Sequence, residues 1–469
     1  MIIFPLVYLS AFIFALKGIV TGKREEVLLF ILFGLPLYIT SLCIAFDSGF
    51  SNFIGLFQSF KELTIVTLLG VQLYTLKTRI RFHLIDYAVI FYFSYVFLYA
   101  LFPIGEQTLL VRLLAFKSLS FFPLVYFCGR LFDPRGIYIN KYFHYIIYFS
   151  IAATGVVMLE FIFSTHFQSF TGYADFYYYI YNFEPTGEAG LSWTFETETG
   201  IKRFASFFAN PLEFASSSIL ALAIIAALYT ADSNKFQPDS LGMLAFYATF
   251  ICIILALSRA AFLNYFFVIY IYAILTNKRY ILNTIHFAGL CVVVYIIYLL
   301  NDEDLRDFVI STLNFTNSSS VGHLLEWIDG INSMIESPLG LGLGTSGRVG
   351  GSFNGNTGGE NQLIIIGVQA GIIAMLTYLF IYILIIRICW KWFRKLKGRE
   401  RQVCLALLLM KVGFIIPMMT SELESSAYIS YTTWFFTGFF VCILQASGRA
   451  TSYELPGQAL SPPRRATDN

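Results

Sequence analysis

Residues 338–361 read PLGLGLGTSGRVGGSFNGNTGGEN, and residues 362–386 follow at once as QLIIIGVQAGIIAMLTYLFIYILII. The second stretch is an uncharged apolar run, long enough for a helix to cross a bilayer core, which takes about 20 residues. The first packs nine glycines into 24 residues. Glycine at that density gives helix no support and lets backbone approach a ligand closely. The segment carries a single cation, Arg348, and ends on Glu360 and Asn361, where the apolar run begins. A flexible glycine-rich loop that delivers an arginine and a carboxylate to a membrane surface is expected to form a site, with the rest of the chain as its frame.

That frame is membrane-spanning. Of 469 residues, 57% are hydrophobic, 18% aromatic and only 13% charged, against roughly a quarter charged in soluble domains. Apolar runs recur at about 2–17, 27–46, 53–76, 84–102, 107–127, 142–163, 210–230, 241–257, 261–276, 281–300, 362–386, 402–419 and 428–445. The pattern predicts an all-α polytopic membrane protein of about 13 (12–14) transmembrane helices, a single integral membrane domain over 1–446. The polar, proline-containing tail 447–469 is expected to be disordered. The N-terminus lacks a basic region and a cleavage site, and reads as a first span. The seven cysteines fall in or beside apolar runs without metal-type spacing, which argues against a disulfide framework. A net charge of +2 gives no sign of nucleic-acid binding.

Lysine and arginine accumulate in short cytoplasmic loops. With the N-terminus outside, inner loops and tail hold 22 of the 31 basic residues, and outer loops hold Lys202, Arg203, Arg259, Arg306 and Arg348. Lys61, Arg112, Lys117 and Lys411 fall within spans. Two loops are long, 164–209 and 301–361, and both fall outside; loops of that length are usually functional or disordered. The first is rich in aromatic rings, among them Tyr178 and Trp193. The second opens on the acids Asp302, Glu303, Asp304 and Asp307, and continues with an amphipathic helix from Val321 to Ile335.

Several residues invite a chemical reading beside a structural one. Arg203 opens RFASFFANPLEF, where Asn210-Pro211 marks a turn into a helix; it either anchors that helix end or binds an anion. Arg259, in ALSRAAF, stands at a tight outer hairpin or below the surface, where charge is costly unless matched by a partner or a water-filled cavity. Arg112 and Lys117 lie within the fifth span, with Glu160 a plausible partner for one of them; a structural ion pair and a substrate contact weigh equally. Glu360 precedes a helix whose dipole is expected to hold its pKa down. The tyrosines at 177–181 suit sugar rings and the membrane interface alike. Three arginines, 203, 259 and 348, on one side of a helical bundle suit a lipid diphosphate, because the guanidinium fork matches phosphate oxygens.

In order along the chain, RFASFFANPLEFA, ALSRAAF, PLGLGLGTS and ENQLIIIGVQAGIIAML resemble four motifs of the O-antigen polymerase and ligase superfamily: R-x-x-G-x-F-x-N-P-N-x-x-A, S-R-G-A, a G-x-G loop, and (H/E)-N-x-x-L leading into a glycine-containing helix. The likeness spans about 200–390. Ala205 departs from the usual glycine, and Glu213 stands near the second Asn position. Glu360 occupies the place where ligases of the group typically carry His, and His323 lies outside the motif. The resemblance therefore implies a Wzy-type polysaccharide polymerase of GT-C-like architecture. Such an enzyme transfers a growing glycan from undecaprenyl diphosphate to a sugar hydroxyl on a new lipid-linked unit, on the periplasmic face of the bacterial inner membrane. It implies Glu360, Arg203 and Arg259 as catalytic residues. Arg348, Arg112, Lys117, Asn361, Asn210, Tyr178 and Trp193 are expected to bind substrate. No metal and no cofactor is expected, since the lipid diphosphate is an activated leaving group; a chain-length regulator is an expected partner. An O-antigen ligase, or a flippase for lipid-linked oligosaccharide, remains the alternative.

Overall fold

The computed structural model describes residues 1–76, 80–134, 136–197, 200–299, 318–353 and 356–446. The acidic patch at 302–307, with Arg306, and the tail from 447 lie outside the described residues. Helices in chain order are α1 (Ile3–Thr21), α2 (Arg24–Asp47), α3 (Ser51–Tyr74), α4 (Leu84–Leu101), α5 (Leu109–Ser120), α6 (Phe122–Arg130), α7 (Ile139–Phe163) and α8 (Tyr173–Tyr181). They continue with α9 (Pro211–Leu228), α10 (Ser240–Leu255), α11 (Arg259–Thr276), α12 (Arg279–Leu299), α13 (Ser318–Glu336), α14 (Gly347–Ser352), α15 (Gln362–Phe393), α16 (Gly398–Thr420) and α17 (Ala427–Ala446). No strand occurs among the described residues beyond two isolated bridges.

Eleven of these helices are long and apolar enough to cross a membrane, or twelve if α5 and α6, bent by 41° about Phe121, make one span. The thirteenth expected crossing corresponds to α10, 16 residues long. At ~1.5 Å per residue it covers about 24 Å, short for a hydrocarbon core of about 30 Å. Its ends nevertheless reach opposite faces of the bundle. Asp239 caps one end, and the Leu255 carbonyl at the other accepts from Phe204 N–H at 3.1 Å.

Polar contacts sort into two ends. At one, Arg24 donates to Thr75 (2.7 Å), Arg130 pairs with buried Asp86 (3.1 Å), Arg399 donates to the Pro134 carbonyl (2.9 Å) and Arg401 to that of Ala231 (2.7 Å). The opposite end gathers Arg203, Arg259, Arg348 and Glu360. The bundle centre is α17, of which 94% is buried, with α9 and α16 beside it; α12 buries none of its apolar window and packs at the margin against α11. Small residues let α6 and α17 touch backbone to backbone. A Cβ on Gly129 would lie 2.0 Å from the Phe435 carbonyl oxygen, and one on Gly438 would lie 1.9 Å from that of Tyr126.

Candidate functional site

Residues 338–346, the first part of the glycine-rich segment, are packed, where the sequence suggested a flexible loop. Gly371 sits at φ 81° and ψ 171°, a backbone state open essentially to glycine alone, and it breaks α15 into two helices. The break exposes the carbonyls of Val368 and Gln369. They accept from Leu341 N–H (2.7 Å) and Gly342 N–H (3.2 Å), while Ile372 N–H donates to the Pro338 carbonyl (3.0 Å). Gln369 extends the seam with its side chain, accepting from Gly344 N–H (2.7 Å) and donating to the Ser346 carbonyl (3.0 Å). On the other side the segment meets the turn before α5: a Cβ on Gly342 would stand 2.0 Å from the Ile104 oxygen, and one on Gly105 would stand 2.2 Å from that of Leu341. Glycine is required here for close approach.

This clamp holds α14, and with it Arg348, over the short stretch 421–426 between α16 and α17. Glu422 accepts from the Arg348 backbone N–H at 2.7 Å and from Ser118 Oγ at 3.0 Å. The Arg348 guanidinium lies over the rings of Tyr181 (4.8 Å) and Tyr177 (5.8 Å). Arg348, expected to bind substrate, has its guanidinium on Tyr177 and Tyr181 and so is held between the two long segments.

Arg203 and Arg259 lie within electrostatic range of one another. Arg203 is half-buried, its N–H donating to the Phe195 carbonyl at 2.8 Å and its Nε to the Ala256 carbonyl at 3.3 Å, beside the hairpin that carries Arg259. Burial depresses the Arg203 pKa, the Arg259 charge depresses it further, and Glu360 opposes both. Of the two placements open to Arg259, the structure takes the hairpin: it is exposed and opens α11 behind the Ser258 cap. Two cations within electrostatic range of one another, with a carboxylate in range of Arg203, make a local field that favours an anion.

Glu360 departs from expectation. Asn361 caps α15, its Oδ1 accepting from Leu363 N–H (3.0 Å) and Ile364 N–H (3.3 Å), so the carboxylate stands one residue outside the helix start. Its pKa is raised, not lowered. The surrounding protein desolvates it although it remains open to solvent; His323 counters that push, Glu326 and Glu422 add like charge, and Arg203 partly offsets them. His323 in turn lies 3.7 Å from Glu326. A carboxyl that the protein desolvates while solvent still reaches it is a stronger base than an ordinary exposed one.

The other candidates divide. Asn210 caps α9, accepting from Glu213 N–H at 2.9 Å, so both asparagines hold helix starts. Arg112 is buried and donates to the Ala100 carbonyl at the end of α4 (3.2 Å). Lys117 pairs with Glu62 at 3.2 Å, and Glu160 takes neither cation: its oxygens accept the backbone N–H groups of Phe167 and Ser206, each at 2.7 Å. The two irregular segments that flank α7 and α9 need that acceptor for amides no helix satisfies. Tyr178 and Trp193 are exposed; Trp193 opens the turn whose Phe195 carbonyl receives Arg203. Among the described residues no group of His, Cys, Asp or Glu is placed to hold a metal ion.

Glu422, Glu326 and His323 belong to the site without having been picked from the sequence. The usable signal for Glu422 is its segment, SELESS between two apolar runs, where two acids sit at the mouth of a helix pair. No protein-family model matches this chain. A search of curated proteins likewise finds no match.

Proposed function

We propose that the protein is a membrane glycosyltransferase that transfers a glycan from a polyprenyl diphosphate to a sugar hydroxyl, in the manner of a GT-C-like polysaccharide polymerase. The observation that carries this reading is the Arg203–Arg259 pair with Glu360 in electrostatic range of it. The fork of each guanidinium suits diphosphate oxygens, and the pair neutralises charge as the bond between the anomeric carbon and the diphosphate breaks. Glu360 accepts the proton of the acceptor hydroxyl as its oxygen bonds to that carbon, and the lipid diphosphate leaves. The arginine-rich opposite end of the bundle supports a cytoplasmic assignment for that end, and with it a site on the outer face of a bacterial plasma membrane.

His323, outside the motif but in electrostatic range of Glu360, favours a second reading, an O-antigen ligase, since ligases of that superfamily carry a His where this chain has Glu360. The acceptor that becomes extended separates the two.

Purified protein in lipid nanodiscs, given lipid-linked repeat units, is expected to form a polymer ladder and release polyprenyl diphosphate. Arg203→Lys and Arg259→Lys are each expected to lower that rate by about 10²–10³-fold, as loss of one oxyanion-type donor does, with folding intact. Normal extension by both lysine variants would rule out diphosphate clamping by this pair.

A further inference from the structure

An open groove of about 490 Å³ runs between α4 and α15, walled by Tyr87, Ala88 and Phe91 on one helix and by Ile373, Leu376 and Phe380 on the other. It starts about 16 Å along α15 from Gln362, past the break at Gly371, and so lies well away from Glu360. Thr377, also in the wall, turns its hydroxyl back onto the Ile373 carbonyl at 2.7 Å. The surface left to a ligand is hydrocarbon, with one phenol, that of Tyr87. Lipid tails are as apolar as such a wall.

The α15 side of the groove leads to charge. Ile373, Phe380, Arg387 and Arg394 follow one another at seven-residue intervals, two helical turns each, and therefore lie along one face. All four are exposed. Arg387 stands about 10 Å beyond Phe380, and Arg394 about 10 Å further, at the end of α15. On the α4 side, exposed Arg81 comes three residues before Leu84, the first residue of that wall. The Arg81 carbonyl accepts from Arg130 at 2.9 Å, which places it at the arginine-rich end of the bundle. None of these three guanidinium groups has a hydrogen-bond or ion-pair partner among the described residues. Tyr87 stacks near Phe82, ring centroids 5.5 Å apart, in the manner of aromatic residues at a membrane interface.

We propose that the groove binds one anionic phospholipid of the leaflet at this end, an acyl chain lying between α4 and α15 and the phosphate held by Arg387 and Arg394, with Arg81 at the head of α4. The guanidinium fork matches phosphate oxygens, and basic groups between spanning helices are a setting for phospholipid head groups. Other occupants leave the cations unused. A polyprenyl tail reaching down from the Arg203–Arg259 pair fills the apolar wall but brings no anion to Arg387. A second copy of the chain would have to cover unpaired arginines at the edge of the hydrocarbon, which is costly. Binding of this lipid requires neither the arginine pair nor Glu360.

Native mass spectrometry on the full chain in detergent, titrated with phosphatidylglycerol and with phosphatidylcholine of the same chains, tests it. Phosphatidylglycerol should bind the wild type about 10-fold or more tightly than phosphatidylcholine. The double variant Arg387→Gln/Arg394→Gln should lose about 10-fold or more in phosphatidylglycerol affinity and leave phosphatidylcholine unchanged. Ala88→Phe, which fills the groove, should weaken both lipids; Thr377→Phe serves if that variant misfolds. Arg203→Ala, at the other end, should change neither. Equal affinity for the two lipids, or undiminished phosphatidylglycerol binding by the folded double variant, would overturn the site. So would displacement of phosphatidylglycerol by a polyprenyl monophosphate that the double variant binds equally well, which would give the groove to a substrate tail. A dimer that Ala88→Phe dissociates would give it to a second copy and overturn the proposal likewise.

Discussion

Glu360 is a carboxyl whose surroundings work against its charge, and this fixes the sign of a pH effect. A base must be deprotonated to act. Because its pKa is raised by desolvation and by Glu326 and Glu422, the active fraction disappears at a higher pH than for an ordinary carboxylate near about 4.3. The rate of chain extension is therefore expected to fall on acidification with its limb above that range. Glu360→Gln should lower turnover about 10²–10⁴-fold and abolish the limb. A limb that persists in the variant would move the proton to Glu326 or His323. Arg203, Arg259 and Glu360 were legible in the sequence because charges are so scarce in the loops assigned to one face. Glu422 was not: it lies 62 residues beyond Glu360, in a six-residue link without a motif, and only packing joins them. Asn210 and Asn361 carry the opposite lesson, since the residue type that suits a ligand is also the one that caps helices.

At the scale of elements, the clamp between 338–346 and the break in α15 yields a stability prediction. Gly342→Ala places a methyl group 2.0 Å from the Ile104 oxygen at φ +103°. Strain and overpacking together should cost about 2–4 kcal/mol and displace Arg348 with the segment. Gly351→Ala, with nothing within 4 Å and no positive φ, should stay within about 1 kcal/mol of the wild type, towards greater stability. Thermal unfolding of both in detergent, with extension assayed below the transition, is the comparison; equal melting temperatures would mean the clamp bears no load. The helix read at 321–335 emerged as Ser318–Glu336, because its apolar period is strong. It lays Met334 on Ile364 and Val368 and leaves Leu325 and Ile335 exposed. The break at Gly371 was not readable, because one glycine inside a long apolar run is usually tolerated in a helix, and what breaks this one is a distant segment ready to take its carbonyls.

For the molecule as a whole, the two ends of the bundle make a labelling test. Asn356→Cys and Lys397→Cys both place an exposed thiol on opposite ends. Five native cysteines are buried and Cys442 is half-buried, so Cys291 is the principal background among the described residues. A membrane-impermeant maleimide is expected to label Asn356→Cys on intact cells and Lys397→Cys only after permeabilisation; the reverse pattern would put the site on the cytoplasmic face and remove its proposed substrate. Helical class and near-complete span placement were legible because apolar length is a strong signal. The doubtful crossings, α10 and the α5–α6 pair, are the ones in which length or straightness falls short of a plain span.

The clamp at α15 also has a bearing on how the chain is made. Carbonyls freed inside lipid are heavily penalised until something donates to them. Here the donors at 341, 342 and 344 are synthesised before the acceptors at 368 and 369, and the turn at Ile104–Gly105 that backs them earlier still. Translation thus delivers the plug before the opening, and the broken helix need never wait in the bilayer for its partner.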